Sequence, residues 1–466
     1  MNMHLPVEAN RARAAARSYA WLVAAVIAAA MPAALFHDSY LMGTFASIVI
    51  FGIVLVGLDL VIGYGELLAF SHGAFFALGA YVMGVLSARY GVPLLAGAAI
   101  AIAVNAALAL LIGAATLRLQ GYYLAVATLG FGIIVVEMLG AFVDLTGGWS
   151  GLRGMAPTAV FGYRVTEDVE FYGIGVVLLI AGIALARNIM NSRFGRAVRA
   201  SGSDALAAEM LGVPTARIRL NLFVIGALYA SVAGSLYAAF LRVITPANFD
   251  VVTSIDMVLM LFLGGKETLW GPLLGAAILR LLPELAEGFN DYKTLVQGVL
   301  FVAVLMFFPR GLAGLLLLLR NAFRRGDTPP PGQDRAVTRP GIEPFVAQDI
   351  VAPPRLDAMN AEPGTANILR VERLSKSFGG VAAVADVSFG LRAGQLKAVI
   401  GPNGAGKTTL FNLLTGVLEP DSGSLQLYGR PSTTGRPHWI ARQGVARTFQ
   451  SPRLFANMTV LENVLV

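Results

Sequence analysis

Long apolar runs, separated by short polar segments, fill most of the chain up to residue 310. A bilayer core of about 30 Å requires about 20 mainly apolar residues in a helix. Runs of this order lie at 21–36, 40–58, 66–88, 92–117, 122–143, 171–186 and 220–241. The pattern predicts an α-helical polytopic membrane domain with seven spans up to residue 241.

The N-terminal run follows Arg11, Arg13 and Arg17. This order is typical of a signal peptide and also of an uncleaved first span whose arginines stay inside. Because the next run begins only a few residues later, the uncleaved span is favoured. Small residues such as those of Gly73-x-x-x-Ala77 and Ala80-x-x-x-Gly84 predict close helix packing rather than a pore lining.

The pattern changes after residue 325. Residues 326–364 contain eight prolines and little apolar periodicity, which predicts an extended, disordered linker. Beyond it, short runs at 369–371, 384–389, 396–400, 424–427 and 445–449 are typical of strands, and 408–415 and 437–442 of helices. The predicted division is a cytoplasmic N-terminus (1–18), a transmembrane domain (19–325), the linker (326–364) and a soluble α/β domain (365–466).

Composition narrows the class of protein. The 466 residues are 56% hydrophobic and 14% charged, which excludes an ordinary soluble protein. The net charge of +7 comes mostly from arginines and lysines between apolar runs, a pattern of cytoplasmic loops rather than of nucleic-acid binding. With no cysteine, disulfides and thiolate metal sites are excluded.

Residues 401–408 fit the phosphate-loop spacing G-x-x-x-x-G-K-[ST], between a predicted buried strand at 396–400 and a predicted helix. Glycines let backbone N–H groups surround a phosphate, Lys407 supplies a charge, and the Thr408 hydroxyl can bind Mg²⁺. The predicted ATP contacts are Gly401, Asn403, Gly404, Gly406, Lys407, Thr408 and Thr409.

This site must face the cytoplasm, where ATP is found, so an odd number of crossings is expected after the seventh span. Polar residues interrupt the apolar stretch 254–310, and two interpretations of its membrane crossings stay open. Three crossings give ten spans, which we favour, and one crossing with a re-entrant hairpin gives eight.

Two polar loops stand out between the spans. Residues 144–154 are expected outside, where Trp149 serves as an interface anchor or as part of a docking surface for an external partner. The arginine-rich loop 187–219 is expected inside. In it, residues 203–214 predict a short helix capped by Ser203 or Asp204 and ended by Gly212 and Pro214. This helix either docks on a partner or is a solvated connection.

Four ionisable residues lie in the predicted spans: Asp59, Glu66, His72 and Glu137. Charges in a membrane are costly and mark functional sites. Asp59 and Glu66 lie near span ends, where capping or snorkelling explains them. His72 and Glu137 lie deeper and are candidates for the substrate path.

The soluble part resembles the ATP-binding subunit of an ABC transporter. The resemblance implies that Phe378 stacks on adenine, that 401–408 is the Walker A loop, and that Gln450 reaches Mg²⁺ and the attacking water. The chain stops before the family's signature motif, Walker B segment and switch histidine. We therefore expect a truncated P-loop domain that binds nucleotide poorly and hardly hydrolyses it. Three explanations stay open: the sequence is a fragment, the gene is interrupted, or another chain supplies the remainder.

The membrane part is similar to permeases of the branched-chain amino acid uptake family. Six motifs in family order carry the resemblance: 63–67 (GYGEL), 71–81 (SHGAFFALGAY), 145–148 (LTGG), 192–197 (SRFGRA), 263–265 (LGG) with 270–276 (WGPLLGA), and 308–312 (FPRGL). It implies a coupling helix at 204–212, with Asp204, Ala207, Ala208, Glu209 and Gly212 facing an ATPase. It also implies an external solute-binding protein, a second permease subunit and a second ATPase.

Together these features predict a permease–ATPase fusion in the bacterial inner membrane. It would import branched-chain or related small amino acids with ATP and Mg²⁺. Urea, short amides or other amino acids are alternative substrates. Two other classes stay open: a passive permease subunit whose ATP site is inert, and a membrane nucleotide sensor that transports nothing.

Overall fold

The structure is a computed structural model. It describes residues 39–119, 121–156, 159–160, 163–285, 298–299, 302, 306, 311–315, 367–432, 435–449, 451 and 453–466. The chain divides into two compact units. The first unit comprises residues up to Ser203 together with Ala216–Arg320, and the second comprises Asp204–Thr215 together with Asn321–Val466. The predicted span at 21–36 and the predicted linker lie outside the described residues.

Helices make up nearly all of the first unit. In chain order they are α1 (Ser39–Leu58), a π-helix (Asp59–Tyr64), α2 (His72–Tyr90), α3 (Leu94–Thr116), α4 (Tyr122–Ala141), α5 (Val143–Thr146), a 3₁₀ turn (Gly148–Ser150), α6 (Asp168–Asn191), α7 (Arg193–Ser203), α8 (Ala205–Met210, assigned to the second unit), α9 (Thr215–Leu241), a 3₁₀ turn (Pro246–Phe249), α10 (Val251–Gly264) and α11 (Gly271–Leu285). Two short antiparallel strands, β1 (Ala159–Val160) and β2 (Tyr163–Arg164), precede α6.

Seven helical stretches among the described residues are long and apolar enough to cross a membrane. Six coincide with the predicted runs from 40–58 to 220–241, and the seventh, Pro246–Gly264, falls in the stretch whose reading was open. The α-helical membrane domain is thus confirmed. The total number of spans stays a prediction, because 21–36 and most of 286–310 are outside the described residues.

Helix α1 lies at the centre of the first unit. Of its most apolar window 89% is buried, against 22% for the window of α3. It is apolar on all sides, so it can be covered by protein on every face. Its neighbours include α6 and α11. Around its middle, the rings of Phe51, Phe76, Tyr237 and Phe249 pack with centroids 5.1–6.0 Å apart.

Close packing of α2 against α9 depends on glycine. A Cβ atom on Gly234 would lie 2.1 Å from the Phe76 carbonyl oxygen, and one on Gly79 would lie 2.5 Å from that of Ser231. No larger residue fits without moving a backbone. Of the residues predicted to pack closely, Gly73 is in tight contact as well, since a Cβ atom on it would lie 2.0 Å from the hydroxyl oxygen of Ser254.

Asp59 is fully buried and holds the turn between α10 and α11. Its Oδ1 accepts from the backbone N–H of Glu267 at 2.7 Å, and its Oδ2 from that of Leu269 at 2.9 Å. Glu267 and Leu269 have φ values of +63° and +59°, which non-glycine residues rarely adopt. The Tyr64 hydroxyl donates to the Glu267 carbonyl at 2.7 Å. Asp59 thus has a capping role, as expected, but the N–H groups that it caps belong to the turn between α10 and α11.

The second unit contains a four-stranded antiparallel sheet in the order β4-β3-β5-β6. Its strands are β3 (Asn367–Phe378), β4 (Val381–Arg392), β5 (Ser422–Leu427) and β6 (Arg430–Pro431), and its helices include α12 (Lys407–Leu414), α13 (Pro437–Arg442) and α14 (Val460–Val464). Val371 pairs with Phe389 on one side and with Leu425 on the other. Leu410 and Leu413 of α12 pack on this sheet.

Two predicted strands are absent. Residues 396–400 and 445–449 carry no strand pairing, and Leu396 and Ile400 are 97% and 91% exposed, so the prediction of a buried strand there was wrong. An apolar strand needs hydrogen-bonded neighbours and covered faces, and the described part of the second unit provides no strand beside either segment. Leu369, Phe411 and Leu427 line a cleft of about 730 Å³, which residues 445–449 also border.

We predict that Asp59→Ala destabilises the first unit. It removes the acceptor of two buried backbone N–H groups, a loss of about 2 kcal/mol or more. Thermal unfolding of the detergent-purified protein, followed by size-exclusion chromatography, measures the effect. Asp144→Ala, at an exposed position, is the control and should unfold at the wild-type temperature. Equal melting of both variants would contradict the role of Asp59.

Candidate functional site

The phosphate loop has the backbone shape that its sequence predicts. Gly404 and Gly406 have φ values of +84° and +80°. A Cβ atom on Gly406 would lie 2.0 Å from the carbonyl oxygen of Ala383, so only glycine allows the loop to rest on β4. Helix α12 begins at Lys407, directly after this glycine. The free N–H groups of its first turn are therefore placed at the end of the loop.

The side chains of the loop suit a phosphate group. Lys407 Nζ donates to the carbonyl oxygens of Gly401 and Pro402 at 2.7 and 2.6 Å, so its charge is folded over the loop. Asn403 and Thr408 are exposed and Thr409 is half-buried. A cation, two left-handed glycines and a helix N-terminus together form an anion site.

Phe378 lies at the same end of the β3–β4 hairpin as the phosphate loop. It pairs in register with Val381, two residues before the Ala383 that Gly406 touches. Phe378 is 47% exposed, and Lys376 Nζ lies 5.8 Å from the centroid of its ring. The position fits the predicted contact with adenine.

Asp421 holds the end of β3 that carries Phe378. Its carboxylate accepts from Lys376 Nζ at 2.6 Å and from the Ser377 N–H at 2.7 Å. These hydrogen bonds, that from Lys376 above all, hold the pKa of Asp421 below its usual range. The anchor is thus charged at neutral pH and is lost only in acid.

The segment that the resemblance identified as a coupling helix begins and ends as predicted. Asp204 caps α8, with its Oδ1 accepting from the Ala207 N–H at 2.9 Å. Gly212 adopts φ +88°, and Ala207 and Ala208 are buried. Glu209 accepts a hydrogen bond from the Thr215 hydroxyl. A short helix of six residues thus keeps a fixed shape.

Residues 204–215 pack within the second unit, together with the phosphate loop. Asp204 Oδ2 pairs with Arg453 Nη1 at 2.8 Å, and Arg442 Nε donates to the Gly212 carbonyl at 3.1 Å. The Phe449 ring lies near two guanidiniums, those of Arg453 at 4.6 Å and Arg447 at 5.6 Å. Arg447 in turn donates to Asn412 of α12 at 2.7 Å. Side chains therefore connect α8 to the helix that starts at Lys407.

Gln450 lies outside the described residues, so its predicted role stays a prediction. The structure brings together the segments on both sides of it, through Phe449 and Arg453. The site that the second unit assembles thus comprises the phosphate loop, the neighbourhood of Phe378, and α8.

The two predicted path residues have different surroundings. His72 is buried, and Gly226 and Gly57 approach its ring, where α1, α2 and α9 meet. Glu137 is exposed on α4 beside the exposed Ile134 and Met138. Within this chain, therefore, His72 faces the interior of the bundle and Glu137 faces outward.

Sequence reasoning missed two polar residues inside the bundle. Asn105 of α3 is fully buried and donates to Ser231 Oγ at 2.8 Å, while its Oδ1 has no hydrogen-bond partner among the described residues. Arg280 of α11 stacks on Phe51. A polar residue flanked by apolar residues on both sides was the available signal in both cases.

The loop at 144–154 is tied to the bundle at two points. A Cβ atom on Gly140 would lie 2.5 Å from the Trp149 ring, and Leu152 forms a two-residue bridge with Ile244, with N–O distances of 2.8 and 3.2 Å. Trp149 is 56% exposed. The loop is thus a fixed surface, which leaves both interpretations of Trp149 open.

Apolar spanning helices in one unit and a phosphate loop in the other define a multi-pass membrane protein with a nucleotide-binding region. The family described as branched-chain amino acid transport system, permease component, matches residues 40–305, more than half of the chain. The ABC transporter family matches residues 384–464, which implies that the nucleotide is ATP. The chain belongs to the branched-chain amino acid transport system permease family and carries an ABC transporter region after it.

Individual relatives agree with both matches. The chain is 31% identical over 310 residues to the high-affinity branched-chain amino acid transport system permease protein LivM of Salmonella typhimurium, covering 62% of this chain and 72% of that protein. LivM of Escherichia coli is 31% identical over 298 residues, with coverages of 58% and 70%. The high-affinity branched-chain amino acid transport ATP-binding protein BraF of Pseudomonas aeruginosa is 50% identical over 99 residues, or 21% of this chain and 39% of BraF.

We predict that Lys407→Ala weakens ATP binding by about tenfold or more, because hydrogen bonds to charged groups contribute about 1.5–3 kcal/mol. Titration of the purified protein with a fluorescent ATP analogue measures the affinity. Lys397→Ala is the matched control, since Lys397 Nζ donates to the Gly390 carbonyl at 2.8 Å, outside the loop. Unchanged affinity of Lys407→Ala would refute the assignment of the phosphate site.

Proposed function

We propose that the chain is a subunit of an ABC importer that moves branched-chain or related small amino acids across the bacterial inner membrane, driven by ATP. One observation carries the proposal. Residues 204–215, which lie between two membrane-domain helices in sequence, share a compact unit with the phosphate loop. A membrane protein with this arrangement can pass a nucleotide-driven movement to its spans.

The substrate class comes from the relatives. Both LivM proteins are named as permeases of high-affinity branched-chain amino acid transport, and BraF as an ATP-binding protein of the same kind of system. This chain combines a region similar to each. Urea, short amides and other amino acids are the competing substrates.

The nucleotide site fits ATP with Mg²⁺. Backbone N–H groups of 403–408 and Lys407 would hold the phosphates, Phe378 would stack on the adenine, and the Thr408 hydroxyl and Gln450 would hold the metal. Bound Mg²⁺ neutralises charge on the phosphates. The chain spans about two fifths of the ATP-binding relative that it matches, so hydrolysis is proposed for the assembled transporter rather than for this sequence alone.

The connection from the site to the spans runs through side chains of the second unit. Movement of α12 would reach Arg447 through Asn412, then the Phe449 ring and Arg453, and finally Asp204. Because Asp204 caps α8, a pull on its carboxylate acts on the whole short helix. The spans would then alternate between outward and inward access.

The proposed importer also contains partner subunits. We propose a second permease subunit, a second ATPase subunit and an external solute-binding protein that docks on the loop around Trp149. The N-terminus and the nucleotide-binding region would be cytoplasmic. His72 would face the substrate path inside the bundle, and Glu137, which is exposed on α4, would line it only where a second permease subunit covers that face.

We predict that Arg453→Ala lowers ATP-dependent leucine uptake several-fold in vesicles that contain the full set of subunits. The Arg453–Asp204 pair is partly exposed and contributes less than about 1 kcal/mol to stability. Loss of uptake with normal nucleotide binding would therefore report lost coupling. Arg430→Ala, at an exposed position of β6, is the control.

Three outcomes would count against the proposal. Full uptake by both Arg453→Ala and a deletion of residues 203–214 would remove the coupling role. Uptake that Lys407→Ala leaves unchanged would favour a passive permease. Nucleotide binding without any solute flux, beside complete partner subunits, would favour a sensor.

A further inference from the structure

Arg280 is an arginine within an apolar helix of the membrane unit. Its neighbours in α11 are Ile278, Leu279 and Leu281, and it lies about 14 Å along the helix from Gly271. A charged side chain among apolar neighbours is costly to bury unless other groups compensate it. The question is what compensates the guanidinium.

Protein groups compensate Arg280 only in part. Its Cζ lies 4.0 Å from the centroid of the buried Phe51 ring, which covers one face of the guanidinium. Its buried Nε has no hydrogen-bond partner among the described residues. A guanidinium stacked on a ring keeps its N–H donors in the plane for a planar, two-oxygen anion. The geometry suits a carboxylate.

A second charge lies near Arg280. Asp256 of α10 acts electrostatically on the guanidinium, and α10 packs against α11. The two residues are a similar distance in sequence from the connecting turn 265–270, so they lie at similar depth. A positive and a negative group at one depth match the two charges of a zwitterionic amino acid.

We propose that Arg280 binds the α-carboxylate of the transported amino acid, with Asp256 on the side of its ammonium group. The inference rests on the proposed function and names the substrate contact within it. The rings of Phe51 and Tyr237, 6.0 Å apart, are buried beside the guanidinium. They make the surroundings of the arginine largely apolar, which suits an aliphatic side chain once the bundle opens for a substrate, and a bound carboxylate would neutralise the arginine during transport.

Binding of radiolabelled leucine to the purified transporter in nanodiscs tests the proposal. We expect Arg280→Met to weaken leucine binding by about tenfold or more and Arg280→Lys, which keeps the charge, to weaken it less. Leucinamide lacks the carboxylate. It should compete weakly in the wild type, and Arg280→Met should leave its affinity unchanged. Arg118→Met, at an exposed position outside the spans, should bind leucine normally.

Several results would overturn the inference. Equal leucine affinity in wild type and Arg280→Met would do so while leaving the proposed function intact. Equal losses of leucine and leucinamide affinity in Arg280→Met would assign Arg280 to structure alone. The same conclusion would follow if Arg280→Met lost subunit assembly and Arg280→Lys restored assembly but not the preference for leucine over leucinamide. A wild-type transporter that binds no leucine would refute both the inference and the proposed substrate class.

Discussion

The proposed mechanism depends on the carboxylate of Asp204, which makes two different contacts. Oδ1 of Asp204 caps α8, and Oδ2 pairs with Arg453. The same side chain thus fixes the shape of the short helix and attaches it to the segment that follows Phe449. An exposed ion pair is weak by itself, but here it acts on a capped helix with a fixed end at Gly212. The pair matters because it makes α8 follow the segment after Phe449, and it contributes little to the stability of the fold.

The first unit shows how a membrane-spanning bundle treats polar groups that it cannot expose. Asp59 is satisfied by two N–H groups of a turn with left-handed residues, so its role is to hold that turn. Arg280 and Asn105 each retain a buried polar atom without a partner among the described residues. A satisfied group is explained by structure, whereas an unsatisfied one in a bilayer calls for a ligand or water. The bonded Asp59 thus has a structural role, and Arg280 is the proposed substrate contact.

Local sequence was enough to predict features that depend on local physics. The spans follow from apolar length, the phosphate loop from its glycines and Lys407, and α8 from the Asp204 cap and Gly212. The strand predictions at 396–400 and 445–449 failed, because a strand needs neighbouring strands that its own sequence does not contain. Arg280 was missed for a similar reason, since its stacking on Phe51 joins two helices far apart in the chain.

Cross-linking of Asp204 to Arg453 tests the central claim, that α8 moves with the nucleotide site, most directly. The chain has no cysteine, so the double variant Asp204→Cys, Arg453→Cys offers one reactive pair for a short, cleavable thiol linker. We predict efficient cross-linking in membranes, low amino acid uptake by the unlinked double variant, which lacks the Asp204–Arg453 pair, and higher uptake when the linker joins the two cysteines. Failure to cross-link, or uptake that the linker leaves unchanged or abolishes, would contradict the account.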